Sequence, residues 1–319
     1  MATYLDLVAQ QQLNKRGLAL ESLLAMSDEL INLFEWRAPS TDLYDEVSVD
    51  SWIIDGISPR QINQGYTTLH LGTGSMLRFP ITPYGGVDPI DPKLQQMQPD
   101  RFNLIAKRAA RAIPIEWANS ILDPLKLGTA TDTIESLPAY CAKMQRTISA
   151  GTNGGALNLM HLDQLVMMCR RVANKAFFLV PDKLFARLSQ LTRNQAIAGN
   201  MSLGIGELGS PVLSYNGIPI YGAGKTVYNK DRLDFNETMG TATDTGSIYL
   251  IYTGDEGVYG TRQALRETLT AQQYVLLADG TYAPQIIHGI EQPLGISYAS
   301  PYAVARLAGI KNIKIVDEV

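Results

Sequence analysis

Apolar positions repeat at helical spacing early in the chain and at strand spacing soon after. Leu20, Leu23, Leu24, Leu30, Ile31 and Phe34 share one side of a helix over Glu21–Trp36, which Pro39 stops. From Ser40 to Gly86 the period changes to two. Val47, Val49 and Trp52-Ile53-Ile54 read as strand. Thr67–Leu71 and Met76–Phe79 flank a Gly72-Thr73-Gly74 turn, the pattern of a long β-hairpin. Gly85-Gly86 and Asp88–Pro92 mark a boundary after it. Isolated between turn residues, such a hairpin has little nearby chain to pack on, so it is expected to project.

Helical spacing returns over Arg101–Leu122, with an interruption expected near Pro114. A stronger stripe of Ile134, Leu137, Cys141, Met144 and Ile148 predicts a helix over Asp132–Ser149, capped by Thr131 or Asp132 and ended by Gly151–Gly155. Leu159, Leu162, Leu165, Val166, Cys169 and Val172 predict another. Phe177–Val180 is a short buried strand, and a helix follows from Pro181-Asp182 to Leu191. Beyond Gly199 the chain turns Gly- and Tyr-rich. Strands are predicted at Val212–Tyr215, Ile218–Tyr221, Ser247–Tyr252, Val258–Tyr259, Ile286–Ile290, Tyr298–Leu307 and Ile313–Val316, while Leu265–Tyr274 fits helix or strand. A helical first half and a strand-rich second half define an α+β fold rather than alternating βαβ units.

Composition adds one tension. Of 319 residues, 45% are hydrophobic and only 18% charged, with a net charge of −4. A compact monomer of this mass exposes roughly 13,000 Å², and few charges are present to solvate it. Tyr, enriched at protein interfaces, supplies 15 aromatics against 7 Phe and 3 Trp. Much of the surface is therefore expected to meet protein. A disordered chain is excluded, and no apolar run approaches the roughly 18 residues of a membrane span. Met1–Gln12 lacks the basic flank and apolar stretch of a signal peptide. Two cysteines cannot build a disulfide framework, and a net charge of −4 argues against a dedicated nucleic-acid binder.

Candidate chemistry is sparse. Gly204–Gly209 fits G-x-G-x-x-G, but Pro211 and a strand follow where a helix should open. Gly222-Ala223-Gly224-Lys225-Thr226 resembles the end of a phosphate loop, yet Pro219 occupies the place of its first Gly. His70, His161 and His288 have no metal-ligand spacing around them. Cys141 and Cys169 lie on apolar stripes and read as small hydrophobes. Asp42, Asp45, Glu46, Asp50 and Asp55 lack calcium-loop spacing and read as a solvated, self-repelling face. No catalytic residue, cofactor-binding residue or metal ligand is assigned, and no enzyme activity is expected.

Several stretches, in order, carry a resemblance: Gly151–Leu159 with Asp163–Val166, Phe178–Leu188, Asn216–Tyr221, Ser247–Val258, and Ser300–Leu307 with Gly309-Ile310. Together they resemble the major capsid proteins of tailed bacteriophages, whose shell fold is shared with encapsulins. The resemblance spans about Ser40–Ile310. It implies an N-terminal arm (1–39), an extended hairpin loop (40–86), a peripheral domain with a long spine helix (87–198 and 285–319) and an axial domain (199–284).

The resemblance further implies a self-assembling subunit of an icosahedral head, in hexamers and pentamers, located in the virion and assembled in the host cytoplasm. Its main partner would be itself, with separate scaffolding, portal and decoration proteins possible. Packaged double-stranded DNA would lie on the inner face without sequence-specific contacts, and no membrane is involved. On that reading Tyr66, Leu69, Leu71, Met76, Leu77 and Phe79 lie across a neighbouring subunit. Some family members cross-link a hairpin Lys to a neighbour's Asn; Trp52–Asp91 holds Arg60 and Arg78 but no Lys. With about 39 residues ahead of the hairpin, scaffolding is expected from a separate protein or not at all. Two other readings stay open: an encapsulin-like compartment, and a nucleotide-binding enzyme using the Gly-rich loops.

Overall fold

The computed structural model describes residues 29–49, 54–55, 70–71, 75–90, 92, 101–123, 134–169, 175–192, 201–205, 211–226, 229–254, 256–276 and 282–315. The chain opens with α1 (Glu29–Asn32), β1 (Trp36–Arg37), β2 (Tyr44–Val49), β3 (Ile54–Asp55), β4 (His70–Leu71), β5 (Ser75–Pro80) and β6 (Thr82–Ile90). Next come α2 (Arg101–Leu122), α3 (Leu137–Lys143), β7 (Thr147–Ser149), α4 (Leu159–Met168), β8 (Ala176–Val180) and α5 (Asp182–Leu191). The remainder is β9 (Met201–Ile205), β10 (Pro211–Tyr215), β11 (Ile218–Gly222), β12 (Glu237–Met239), β13 (Ala242–Tyr252), β14 (Val258–Arg262), β15 (Arg266–Leu276), β16 (Tyr282–Tyr298) and β17 (Val304–Lys311).

The larger sheet runs β7-β17-β13-β8-β11-β10-β9, with β12 also on β13. Strand periodicity divides its side chains between two cores. Phe177, Leu179, Tyr249, Ile251 and Val304 face one, with α1, α2 and α3. Phe178, Val180, Ile248, Leu250, Ala305 and Leu307 face the other, under α4 and α5. A bulge in β17 keeps Ile310 in this second core: Gly246 pairs with Ile310 but Ile248 with Leu307, adding one residue to β17. Gly309, at φ +80°, takes up that residue. The resemblance places 285–319 in the peripheral domain, yet β17 lies within the same sheet as β9–β13.

The smaller sheet is built on the 17-residue β16. One edge carries β14 and then β15; the other carries β6. The segment expected as a boundary, Gly85-Gly86 and Asp88–Ile90, is therefore strand. A Cβ on Gly85 would meet the Ile290 carbonyl and, at 2.8 Å, the Glu291 Cα, so the two strands approach closely only because this side chain is absent. Segment 266–276 is strand, while β16 ends at Tyr298 and a turn precedes β17.

Two helix expectations are corrected. The long helix is α2, 22 residues running through Pro114 without a break. An interior proline costs about 3 kcal/mol. Fully buried Trp117, Ala118 and Ile121 lie just beyond it, and each large side chain returns about 1.5–3 kcal/mol. Trp117 packs on Phe34 at 5.6 Å and Trp36 at 4.8 Å, and its Nε1–H donates to the Gly295 carbonyl at 3.3 Å. The helix expected over 132–149 is only α3. Ser136 caps it, accepting from the Ala139 N–H, and Gln145 at φ +54° ends it. Thr147–Ser149 then pairs in parallel with Arg306–Ala308. Trp36, expected at the end of a helix, is strand and pairs with Gly260.

Candidate assembly surface: the projecting ribbon and its anchorage

The strands expected to form a hairpin take other partners. Thr67–Leu71 does not fold back on Met76–Phe79. Instead β2 pairs with β5, from Tyr44↔Pro80 to Val49↔Ser75, and further out Ile54 pairs with Leu71 and Asp55 with His70. The paired numbers sum to 124 in the first ladder and 125 in the second, so the register slips by one residue between them. Gly72-Thr73-Gly74 and residues 56–69 lie outside the described residues. Strands β2 and β5 form a two-stranded ribbon, and β3 and β4 a second short pair.

Alternation gives the base of the ribbon two unlike faces. Inward lie Asp45, Val47, Leu77 and Phe79; outward lie Tyr44, Glu46, Met76 and Arg78. Phe79 is 3% exposed and meets Tyr298 edge-on at 5.4 Å. Tyr298 in turn stacks on Tyr140, with ring centres 3.8 Å apart. Outward, Arg78 reaches Glu46 at 3.0 Å and lies 4.8 Å over the Tyr44 ring, while Met76 is 62% exposed.

Asp45, read from the sequence as part of a solvated acidic face, is buried. Its Oδ2 accepts from the Tyr259 hydroxyl at 2.9 Å and the Ser297 hydroxyl at 2.7 Å; its Oδ1 accepts from the Ser40 N–H at 3.1 Å. Those donors sit on β14, on β16 and just ahead of β2, so one carboxylate ties the ribbon to two strands of the smaller sheet. Burial, and then the Asp45 charge beside it, hold the Tyr259 phenol above its ordinary value, so it stays a donor. The Arg37 guanidinium lies 4.2 Å over the same ring. Of the other acidic residues, Asp42 accepts from Gln263 Nε2 at 2.9 Å.

Of the six residues expected at a subunit interface, Tyr66 and Leu69 lie outside the described residues and Leu71 sits on β4. Met76 faces outward. Leu77 packs partly against the first core, and Phe79 is buried in it, because parity in the observed register turns both toward the body. Asp45, which sequence reasoning missed, shares the inward parity of Val47; that parity was the available signal.

The chemical lookalikes resolve as structure. Gly204 lies on β9, and the next described element is strand β10, paired antiparallel with it. In the Gly222–Thr226 loop the Gly224 N–H donates to Asp182 Oδ1 at 3.1 Å. A carboxylate stands where a bound phosphate would have to be. His161 belongs to the capping box of α4, its Nδ1 accepting from the Asn158 N–H. Burial pushes both the Cys141 and Cys169 thiols up to about 12.

A cleft of about 580 Å³ opens between the end of α2, the 226–238 segment and β17. In it Arg306 pairs with Glu237 at 2.9 Å, and Arg232 donates to Asn119 Oδ1 at 3.1 Å. Among the described residues no group of His, Cys, Asp and Glu converges on a metal position. Nor is any described helix long and apolar enough to cross a membrane.

No family model matches the sequence, and no curated protein matches it at the sequence level. Solved structures do match. The holo-SrpI encapsulin complex of Synechococcus elongatus aligns with a TM-score of 0.59 at 13% identity, covering 91% of this chain and 90% of that one. The capsid of the native GTA particle aligns at 0.56 and 13% identity, covering 88% and 89%. The satellite phage P4 procapsid aligns at 0.53 and 10% identity, covering 92% and 90%. The chain therefore has the shell-protein fold common to tailed-phage capsids and encapsulins.

Proposed function

We propose that the protein is a structural subunit that assembles with copies of itself into a closed icosahedral shell, as hexamers and pentamers, around double-stranded DNA. The observation that supports this most strongly is the shared fold, aligned over about nine-tenths of this chain and of shells from three sources. The ribbon adds to it. Its base is anchored and its outward face carries Met76, so it is built to present surface rather than to complete the subunit's own core. On this reading Met76 and the distal Tyr66, Leu69 and Leu71 rest on a neighbouring subunit. The subunit needs no active site or cofactor; scaffolding, portal and decoration proteins would be separate chains.

Light scattering and negative-stain imaging of the purified protein test the proposal. Megadalton particles are expected, and a preparation that stays monomeric or dimeric at high concentration sinks it. The likeness to the SrpI encapsulin supports a second reading, a compartment around a protein cargo. Nuclease-protected DNA inside the particle favours the first reading, and a co-purifying enclosed protein favours the second.

A further inference from the structure

The base of the ribbon holds a feature that shell assembly alone does not require. Asp45 and Phe79 are directly paired across the two strands. Both point at the smaller sheet, one as a charged acceptor and one as an apolar ring. Phe79 contacts Tyr298, while Asp45 engages Tyr259 and Ser297. All three partners lie on β14 and β16, whose residues pair as Val258↔Tyr298 and Tyr259↔Ser297. Two adjacent ribbon residues thus bind adjacent positions of one sheet, forming a compact attachment. Further out on the same face Val47 is also buried and Leu77 opposite it packs partly against the first core, whereas Met76 on the outward face is largely exposed.

The two halves of this attachment differ physically. Apolar contact is non-directional and survives small rotations, whereas a hydrogen-bonded carboxylate fixes an angle. Ser297 is wholly buried and Tyr259 nearly so, and both hydroxyls donate to Asp45. The same carboxylate also holds the Ser40 N–H, so it secures the chain's entry into β2 as well as the strand itself.

We propose that Asp45 is a positioning residue: a latch that sets the angle of the ribbon on the subunit body, with Phe79 as the pivot that keeps the two attached when the latch is open. A subunit that must present one arm at several local geometries gains from fixing its angle at one polar point beside an apolar contact that tolerates small rotations. This last step rests on the shell reading; the latch itself does not.

The test is therefore made on the unassembled chain. Amide hydrogen exchange is followed in the wild type, in Asp45→Ala, and in a Tyr259→Phe/Ser297→Ala double variant that removes the donors and keeps the carboxylate. Both variants should speed exchange in 44–49 and 75–80 by roughly tenfold or more, while 248–251 and 304–307 stay protected as in the wild type. Unchanged exchange in the ribbon of a folded variant overturns the latch. So does loosening of ribbon and sheet together, because Asp45 would then support the whole fold. If Asp45→Ala does not fold, the donor-side variant decides alone. Particle formation is scored separately: a wild type that never assembles defeats the shell reading and leaves the exchange result standing.

Discussion

The eight-stranded sheet and the projecting ribbon are both made of strands, and they are held by different means. In the sheet, β8 sends Phe177 and Leu179 into one core and Phe178 and Val180 into the other, and all four are buried. No single contact there sets the arrangement, because the central strands β8, β13 and β17 are buried on both faces over most of their length. At the ribbon, one face is anchored through Asp45 and Phe79, and the other offers Tyr44, Glu46, Met76 and Arg78 to the surroundings. The sheet gains its stability within the subunit. The ribbon is held from one face alone, and Met76 on the other is largely exposed.

The largest expected effect lies in the sheet. Phe178 is fully buried and lies 6.3 Å from the Tyr215 ring. Phe178→Ala should cost about 3–5 kcal/mol, read as a drop in the urea midpoint of the unassembled chain. A cost below about 1 kcal/mol would erase the contrast between the two regions. Next comes the seam where the chain leaves the ribbon for β6. Gly85→Ala pushes a methyl group against the backbone of Ile290 and Glu291, and about 1–3 kcal/mol is expected. Exchange should rise first at amides of Thr82–Ile90. Equal stability of the variant would show that β6 can slide outward without loss. Smaller still is Arg78→Ala. The Arg78 side chain is 65% exposed and its partner Glu46 27%. Such surface pairs contribute roughly 0–1 kcal/mol, so the subunit's denaturation curve should barely move.

How far the sequence announced these features follows the range of the interactions involved. Strand β8, helix α5 and the strands around Tyr215 and Tyr249 are legible because a run of apolar residues meets clear turn signals on either side. The helix expected over 132–149 has a genuine apolar stripe, and Ile134, Leu137 and Cys141 are buried as that stripe implies. What breaks it is Thr147–Ser149 pairing with Arg306–Ala308, a contact no local window contains. In a local window Gly72-Thr73-Gly74 carries the signal of a tight turn, which points to a different pairing. The pairing of Tyr44–Val49 with Ser75–Pro80 outcompetes it by turning Val47 and Phe79 inward together. Asp45 was read as solvated because its partners, Tyr259 and Ser297, lie 214 and 252 residues away. The six interface candidates were chosen as apolar residues of a projecting hairpin. Register then sorts them, giving Phe79 to the core and Met76 to the outside.

The sharpest separation of the two regions comes from a substitution that should cost almost nothing in stability. Both native thiols are buried in the body, and burial pushes each up to about 12. At pH 8 they stay protonated and inaccessible, and a thiol reagent should leave the native chain unlabelled. Met76→Cys then places one reactive thiol on the outward face of the ribbon. The change should shift the folding free energy by less than about 0.5 kcal/mol, because position 76 has little to lose. In the unassembled chain the new thiol should label at the rate of an exposed cysteine. In assembled particles, labelling should slow by an order of magnitude or more as a neighbour covers it. Equal labelling rates in both states would place the ribbon's outward face on the particle surface. The outward face of the ribbon's base would then make no subunit contact, and the proposed interface would have to lie elsewhere on the chain.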